Sequence, residues 1–369
     1  MSKITSPDLM KINNKRTILE IIYKQKNIYR AQIAEMTNMS NQTITNLVKE
    51  LIDEGMVQEV ILEKKSKGRN PIALSINLEG YYAIGAEISV KKISVGLYNA
   101  CGNIIRKEEQ SLCCNPLEQL KSIVNDIVED IDTNKVLGIA ASIEGIVDEI
   151  NGLVIKSRDI GLDGVNLLSE LEYLGIPVQI RNDVNMLAET NAHREKFKNY
   201  MVIKLDRGIG AALILNGEIL RSQNNIAGEF GHVTVFSNPE PKLCKCGKRG
   251  CLTTEASLTV IEQNMNMDIN EIQEKYSLKD EYVTSTLKKI IGYIAEPLSN
   301  LITVLDLNTV ILTGTILNIF GDDFRSEMDH EIRAKLNSWA SYSGLDVLED
   351  YDMTQCCSKC VVEHYFVIS

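Results

Sequence analysis

Apolar residues fall at helical spacing in the first part of this chain, and strand-like runs take over after Gly55. Between Asn14 and Tyr23 the residues Ile18, Leu19, Ile21 and Ile22 predict one helix, and Ala31, Ile33, Ala34 and Met36 begin a second. A third follows a short polar link. Ser40 is a good N-cap and Gly55 a good stop; between them Ile44, Leu47, Val48, Leu51 and Ile52 recur at the spacing of one buried helix face. Val57 to Glu63 then reads as a strand, 64–70 (KKSKGRN) as a basic tip, and Pro71 to Ile76 as the returning strand. Helix, turn, helix and basic hairpin in that order predict a winged helix-turn-helix over residues 1–78.

The outward face of the third helix carries the chemistry. Asn41, Gln42, Thr43, Thr45, Asn46 and Lys49 point away from the apolar face, mostly near the helix N-terminus, where a recognition helix meets base edges. Gln42 and Asn46 are amides that pair bidentately with adenine, and Thr43 suits a thymine methyl. Lys65 and Lys67 would neutralise phosphates, and Arg69, beside a glycine, would enter a narrow minor groove.

Past residue 79 the pattern is that of an α/β body. Tyr81 to Ser89, Lys92 to Tyr98 and Ile104 to Gln110 read as three successive strands, and Val136 to Ser142 as a buried one. Leu168 to Leu174 reads as a helix ahead of a strand at Pro177, and Val178-Gln179-Ile180 runs into Arg181-Asn182-Asp183-Val184-Asn185. Asp280 to Leu305 reads as a long amphipathic helix and Thr309 to Thr313 as a strand ending at Gly314.

Composition sharpens this division. A chain of 369 residues suggests two or three domains. Its net charge of −11 is uneven: residues 1–75 hold 12 Lys+Arg against 8 Asp+Glu, a surplus of +4, so the remainder carries −15. A basic head on an acidic body suits a DNA-binding module joined to a small-molecule-binding one. No run of eighteen apolar residues occurs, and MSKITSPDLMKINNKR lacks a signal peptide's apolar core, so no membrane and a cytoplasmic location are expected. Nine scattered cysteines fit a reducing compartment, and Cys356, Cys357 and Cys360 near the end read as free thiols.

From Gly228 to Ser257 the sequence is GEFGHVTVFSNPEPKLCKCGKRGCLTTEAS. His232, Cys244, Cys246 and Cys251 supply the four N/S ligands of a closed tetrahedral site, which predicts a structural Zn²⁺ holding the loop 232–251. This stretch, with Glu229-Phe230-Gly231-His232 ahead of the cysteines, resembles the zinc signature of the ROK family of repressors and sugar kinases.

The resemblance implies a two-lobed body of the actin-like ATPase (hexokinase) type over residues 79–369, behind a winged head of the sort ROK repressors carry and ROK kinases lack. By position it assigns Asn182, Asp183, Glu229 and His232 to the site of a sugar or sugar derivative, His232 fixing Glu229. Asp183 stands where the kinases have their general base. The nucleotide side departs from the kinase pattern: Glu87, Ser89, Val90 and Lys91 stand where kinases have Asp-x-Gly-Gly-Thr, and Asp206 puts a negative charge in the second phosphate loop, of which Gly208 and Gly210 survive. Thr253 replaces a family glutamate, and Glu144-Gly145 stands in place of Pro-Gly. The expectation is a sugar-responsive repressor of carbohydrate-use genes, most like the family's xylose-responsive branch, without catalytic residues. It would act as a homodimer or homotetramer on palindromic operator DNA. The rival expectation is an active sugar kinase with Asp183 as base.

Overall fold

The computed structural model describes residues 6–61, 72–157, 159–190, 196–235 and 240–368. They form two compact units, one of residues 1–142, 166–180 and 357–369, the other of 143–165 and 181–356. No helix among the described residues is long and apolar enough to cross a membrane.

The first unit opens with α1 (Ser6–Gln25), α2 (Arg30–Thr37) and α3 (Asn41–Asp53), followed by β1 (Val57–Ile61) and β2 (Ile72–Ile76). Ile18, Ile22, Ile33, Ile44 and Val48 are fully buried where the three helices meet. Ser40 Oγ accepts the Thr43 N–H at 3.1 Å, the cap its sequence predicts, and Gly55 ends the helix at φ 77°. Two details differ from the apolar pattern. α1 starts at Ser6 rather than near Asn14, and Lys11 and Lys15 along it pair with Glu50 of α3 at 2.8 and 2.7 Å. Met36 is 54% exposed, because the eight-residue α2 turns only Ile33 and Ala34 inward. β1 and β2 pair antiparallel from Val57↔Ile76 to Ile61↔Ile72, as a wing requires.

After the head, β3 (Tyr82–Ile88), β4 (Lys92–Asn99) and β5 (Ile104–Ser111) form an antiparallel meander, and α4 (Pro116–Val128) packs on β4. β6 (Val136–Ile143) is buried along its whole length, as its apolar run predicts. The hairpin β7 (Ile146–Asp148) and β8 (Leu153–Lys156) belongs to the second unit; α5 (Leu167–Leu171) and β9 (Val178–Asn182) return the chain to the first sheet, whose order is β5-β4-β3-β6-β9.

In the second unit α6 (Asp183–Thr190) precedes β10 (Tyr200–Leu205), β11 (Ile209–Leu215) and β12 (Glu218–Ile219). Helices α7 (Thr253–Ala256), α8 (Leu258–Met265), α9 (Ile269–Ser277) and α10 (Glu281–Leu305) follow, then β13 (Thr309–Thr313), α11 (Thr315–Lys335), β14 (Leu345–Val347) and α12 (Met353–Glu363). The sheet order is β12-β11-β10-β13-β14, with β13 parallel to β10. Asp280 caps α10 by accepting the Val283 N–H, and the buried stripe Leu287, Ile290, Ile291, Ile294 and Leu298 packs with Phe320 and Phe324 of α11. From Cys357 onward α12 belongs to the first unit, where the Cys357 thiol donates to the Ala86 carbonyl at 3.4 Å. A π-turn, His364–Ile368, ends the described chain, and Phe366 stacks on Tyr23 of α1 with centroids 5.4 Å apart.

Candidate effector site, metal centre and DNA-reading face

On α3 the sequence-predicted base readers share one face: Asn41, Gln42, Thr45 and Asn46 are exposed and Thr43 is half-buried. Gln42 Nε2 donates to Asn46 Oδ1 at 3.1 Å, one turn apart, so the two amides hold each other. The Thr43 hydroxyl lies 2.8 Å from Ser40 Oγ, which ties it to the helix cap. Lys65, Lys67 and Arg69 lie outside the described residues.

In the second unit the junction of β9 and α6 is built by Asn182. Its Oδ1 accepts the N–H groups of Val184 and Asn185 at 2.9 and 3.2 Å, and its Nδ2 donates to the Gly145 carbonyl at 2.9 Å. That side chain therefore starts a helix as well as lining a recess. Asp183 is buried, and its Oδ2 sits 2.7 Å from Lys204 Nζ, which also reaches Glu144 Oε1 at 3.0 Å. Burial alone would push the Lys204 ammonium down; the Asp183 and Glu144 carboxylates outweigh it and hold the ammonium well above the ordinary lysine value. The Tyr351 phenol, hydrogen-bonded to Thr313, is close enough to feel the charges of Lys204, Asp183 and Asp206, and burial pushes it up. The position that the resemblance assigns to a general base is thus part of a closed polar cluster of the chain's own.

Beside it lies a recess lined by Glu149, Asn182, Asn185, Arg221 and Glu229 among others, all from this unit. Glu149 organises one wall. Its Oε1 accepts from Asn185 Nδ2 at 3.0 Å, and its Oε2 meets Arg181 Nη1 at 2.8 Å and Arg221 Nε at 3.4 Å. Glu189 closes the ring, 2.7 Å from Arg181 Nε and 2.8 Å from Arg221 Nη2. Glu229 faces this wall, its carboxyl raised from the ordinary value first by burial and then by the charge of Asp183. Of the predicted sugar residues, Asn182 and Glu229 line the recess, whereas Asp183 and His232 do not. Glu149 and Arg221 were not legible as site residues in the sequence, and Asn185 was visible only as the last letter of Asn-Asp-x-Asn.

Two glycines set Glu229 in place. A Cβ at Gly228, where φ is 92°, would stand 2.0 Å from the Ala211 carbonyl oxygen, and one at Gly231 would stand 2.2 Å from that of Ile209. The segment can press against β11 only without side chains at these two points. Behind it His232 Nε2 lies 3.5 Å from Glu229 Oε2, while Nδ1 faces Cys244 Sγ at 3.6 Å.

His232, Cys244, Cys246 and Cys251 bring one ligand atom each within 4.8 Å of one another, the group the sequence predicts. Cys246 and Cys251 sulfurs are 3.6 Å apart, near the edge of roughly 3.8 Å of a tetrahedron with metal–sulfur bonds of about 2.3 Å. Backbone bonds shape the knuckle: Cys244 N–H to Lys248 O at 2.7 Å and Gly247 N–H to Cys244 O at 2.9 Å. Burial, then the neighbouring Cys246 and Cys244 sulfurs, pushes the Cys251 thiol up to about 12. Three sulfurs so crowded call for a cation to balance them as thiolates. The residues fit a metal.

The second phosphate loop satisfies itself. Asp206 Oδ1 accepts the Arg207 N–H at 2.8 Å, its Oδ2 accepts the Thr315 hydroxyl at 3.0 Å, and Arg207 Nη1 turns to Glu262 at 3.5 Å. In the first unit's hairpin Glu87 lies 3.7 Å from Lys92, which pairs at 2.6 Å with Glu109.

Comparisons with known proteins agree with this architecture. The model of the "ROK family" matches residues 83–348, and that of the "Winged helix-turn-helix DNA-binding" family matches 13–58. The chain is 26% identical over 358 residues to the xylose repressor of Bacillus subtilis, covering 91% of each. It is 25% identical over 299 residues to the DNA-binding transcriptional dual regulator NagC of Escherichia coli (strain K12), covering 78% of this chain and 72% of NagC. Its fold matches that of a ROK family transcriptional regulator homologous to the E. coli MLC protein, with a TM-score of 0.83 at 19% identity over 97% of both chains. It also matches the ROK hexokinase of Thermus thermophilus, with a TM-score of 0.65 at 20% identity over 75% of this chain and 97% of the hexokinase. Winged head, two five-stranded sheets and His/Cys knuckle converge with the family match over most of the length: this chain belongs to the ROK family.

Proposed function

We propose that this protein is a sugar-responsive DNA-binding transcriptional repressor of carbohydrate-use genes, cytoplasmic, and without phosphoryl-transfer activity. Operator DNA would be read by Asn41, Gln42, Thr43, Thr45 and Asn46, with Lys65, Lys67 and Arg69 of the wing on the backbone and minor groove. A sugar would seat its hydroxyls against Glu229, Asn182 and the Glu149–Asn185 wall. Zn²⁺ on His232, Cys244, Cys246 and Cys251 would hold the loop that carries Glu229, and His232, 3.5 Å from Glu229, would couple the metal to the effector site. Two chains, or four, would place their heads on a palindromic operator about one helical turn apart. Effector binding would favour the arrangement in which those heads no longer fit their half-sites.

One observation carries the choice of sensor over kinase: the 2.7 Å pairing of Asp183 with Lys204. A general base must reach the sugar hydroxyl and accept its proton, and this carboxylate is buried and held by an ammonium. The kinase reading draws on the position of Asp183 and on the fold shared with ROK kinases. The test is a gel shift of the full chain on duplexes flanking its gene, with xylose as the first effector in a panel of pentoses and hexoses, beside a coupled assay for sugar-dependent ATP turnover. Release of DNA by a sugar supports the proposal. ATP turnover that disappears in Asp183→Ala would replace it with the kinase reading.

A further inference from the structure

The recess is polar at its floor, but its mouth is not. Ile150, at the tip of the β7–β8 hairpin, is 82% exposed and lines the recess, as does Leu220, 39% exposed, from the segment after β12. Two branched aliphatic side chains thus stand in water at one polar opening. Single exposed apolar residues are ordinary, but a pair of them at the rim of a ligand site marks surface that a ligand covers.

Charge narrows what that ligand is. Among the described lining residues the only cation is Arg221, already shared between Glu149 and Glu189, while Glu149 and Glu229 present carboxylates. A phosphate or uronate would meet the Glu229 carboxylate and compete for a guanidinium that is taken. A neutral sugar ring meets hydrogen-bonding groups on the floor, and a group attached to it meets aliphatic carbon at the mouth.

We propose that the effector is a neutral glycoside rather than a free monosaccharide: one sugar ring on the Glu149, Asn182, Asn185 and Glu229 floor, with its substituent against Ile150 and Leu220. This rests on the sugar-responsive reading above and names the effector class of that same site. The substituent is a second sugar ring, which offers the apolar face of its C–H bonds, or an alkyl or aryl aglycone. Covering part of this aliphatic rim is worth about a tenfold gain in affinity.

The experiment is calorimetric titration of the full-length protein with xylose, glucose and N-acetylglucosamine, with their β-linked disaccharides and nitrophenyl glycosides, and with glucose 6-phosphate and glucuronate. At least one glycoside is expected to bind about tenfold more tightly than its parent sugar, and that ratio to collapse toward one in Leu220→Ser and Ile150→Ser. A disaccharide preferred over the nitrophenyl glycoside identifies a sugar as the substituent, and the reverse identifies an aglycone. The proposal is overturned if a monosaccharide binds as tightly as its glycosides, if the ratio survives both serine variants, or if a charged sugar binds best. Should no sugar of any kind bind, the sugar-responsive reading fails with it, which distinguishes that failure from failure of the glycoside alone.

Discussion

Replacing Lys204 by methionine keeps the length of the side chain and removes its charge, which isolates what the ammonium does for Asp183. In the native protein the Lys204 side chain is 14% exposed and that of Asp183 10%, and their contact is 2.7 Å. Lys204→Met leaves the Asp183 carboxylate buried without its cation, a change that costs about 3–5 kcal/mol in comparable buried pairs. Glu144, 30% exposed, reaches water and adds little to that figure. Neutralising the stranded carboxylate as well should recover much of the loss, so Lys204→Met with Asp183→Asn should be more stable than Lys204→Met alone. Urea unfolding followed by circular dichroism measures all the variants of this cycle. Acid–base linkage adds a constraint. Because the folded-state value of Lys204 is raised, its contribution is fully present below the ordinary lysine value near 10.5 and fades only as pH climbs through the raised one. The penalty should therefore be level from about pH 6 to 9. A loss below about 1 kcal/mol, or a double variant no better than the single, would refute the reasoning.

Three further outcomes are expected. Cys246→Ser should abolish bound zinc, read by elemental analysis, and lower the melting temperature; retention of one zinc per chain would remove Cys246 from the ligand set. Gln42→Ala should relax preference at the base pair it contacts by about 1–3 kcal/mol, seen as near-equal gel-shift affinities for duplexes differing there. Phe366→Ala, at a ring 4% exposed and stacked on Tyr23, should destabilise the first unit by about 3–5 kcal/mol in urea unfolding; an unchanged transition would mean that the tail does not support α1.

What was legible in the sequence is what short-range spacing encodes. The α3 face, its Ser40 cap and the α10 stripe follow from helical periodicity, and the four metal ligands lie within twenty residues of each other around two glycines. The tie between Lys204 and Asp183 spans 21 residues, and that between Arg221 and Glu149 spans 72, with no periodic pattern joining them. One local sign of the first existed: a lysine inside the apolar run Tyr200–Leu205 has to find a counter-charge on one side of its sheet. The early start of α1 was hidden for a related reason, because the contacts along its first turns include ion pairs, to which a scan for apolar spacing is blind.

In the proposed sensor, Lys204 and Asp206 would disable the two halves of phosphoryl transfer by opposite charges placed two residues apart. Lys204, facing Asp183, would quench the proton acceptor of that reading; Asp206, closed on the Arg207 amide and the Thr315 hydroxyl, would leave a carboxylate where an anion has to be cradled. Exchanging them in concept shows why both matter: a lysine in the loop would attract phosphate, and an uncharged residue on β10 would leave Asp183 free. Neither change touches Glu229, which is set by Gly228, Gly231 and His232, nor the ring of Glu149, Arg181, Glu189 and Arg221. The residues proposed for hydroxyl recognition are therefore held independently of Lys204 and Asp206. That ring also joins the β7–β8 hairpin, α6 and the segment after β12. A ligand that displaces Arg221 from Glu149 alters the hold of the hairpin on that segment, and this is the kind of differential contact through which binding energy biases one arrangement over another.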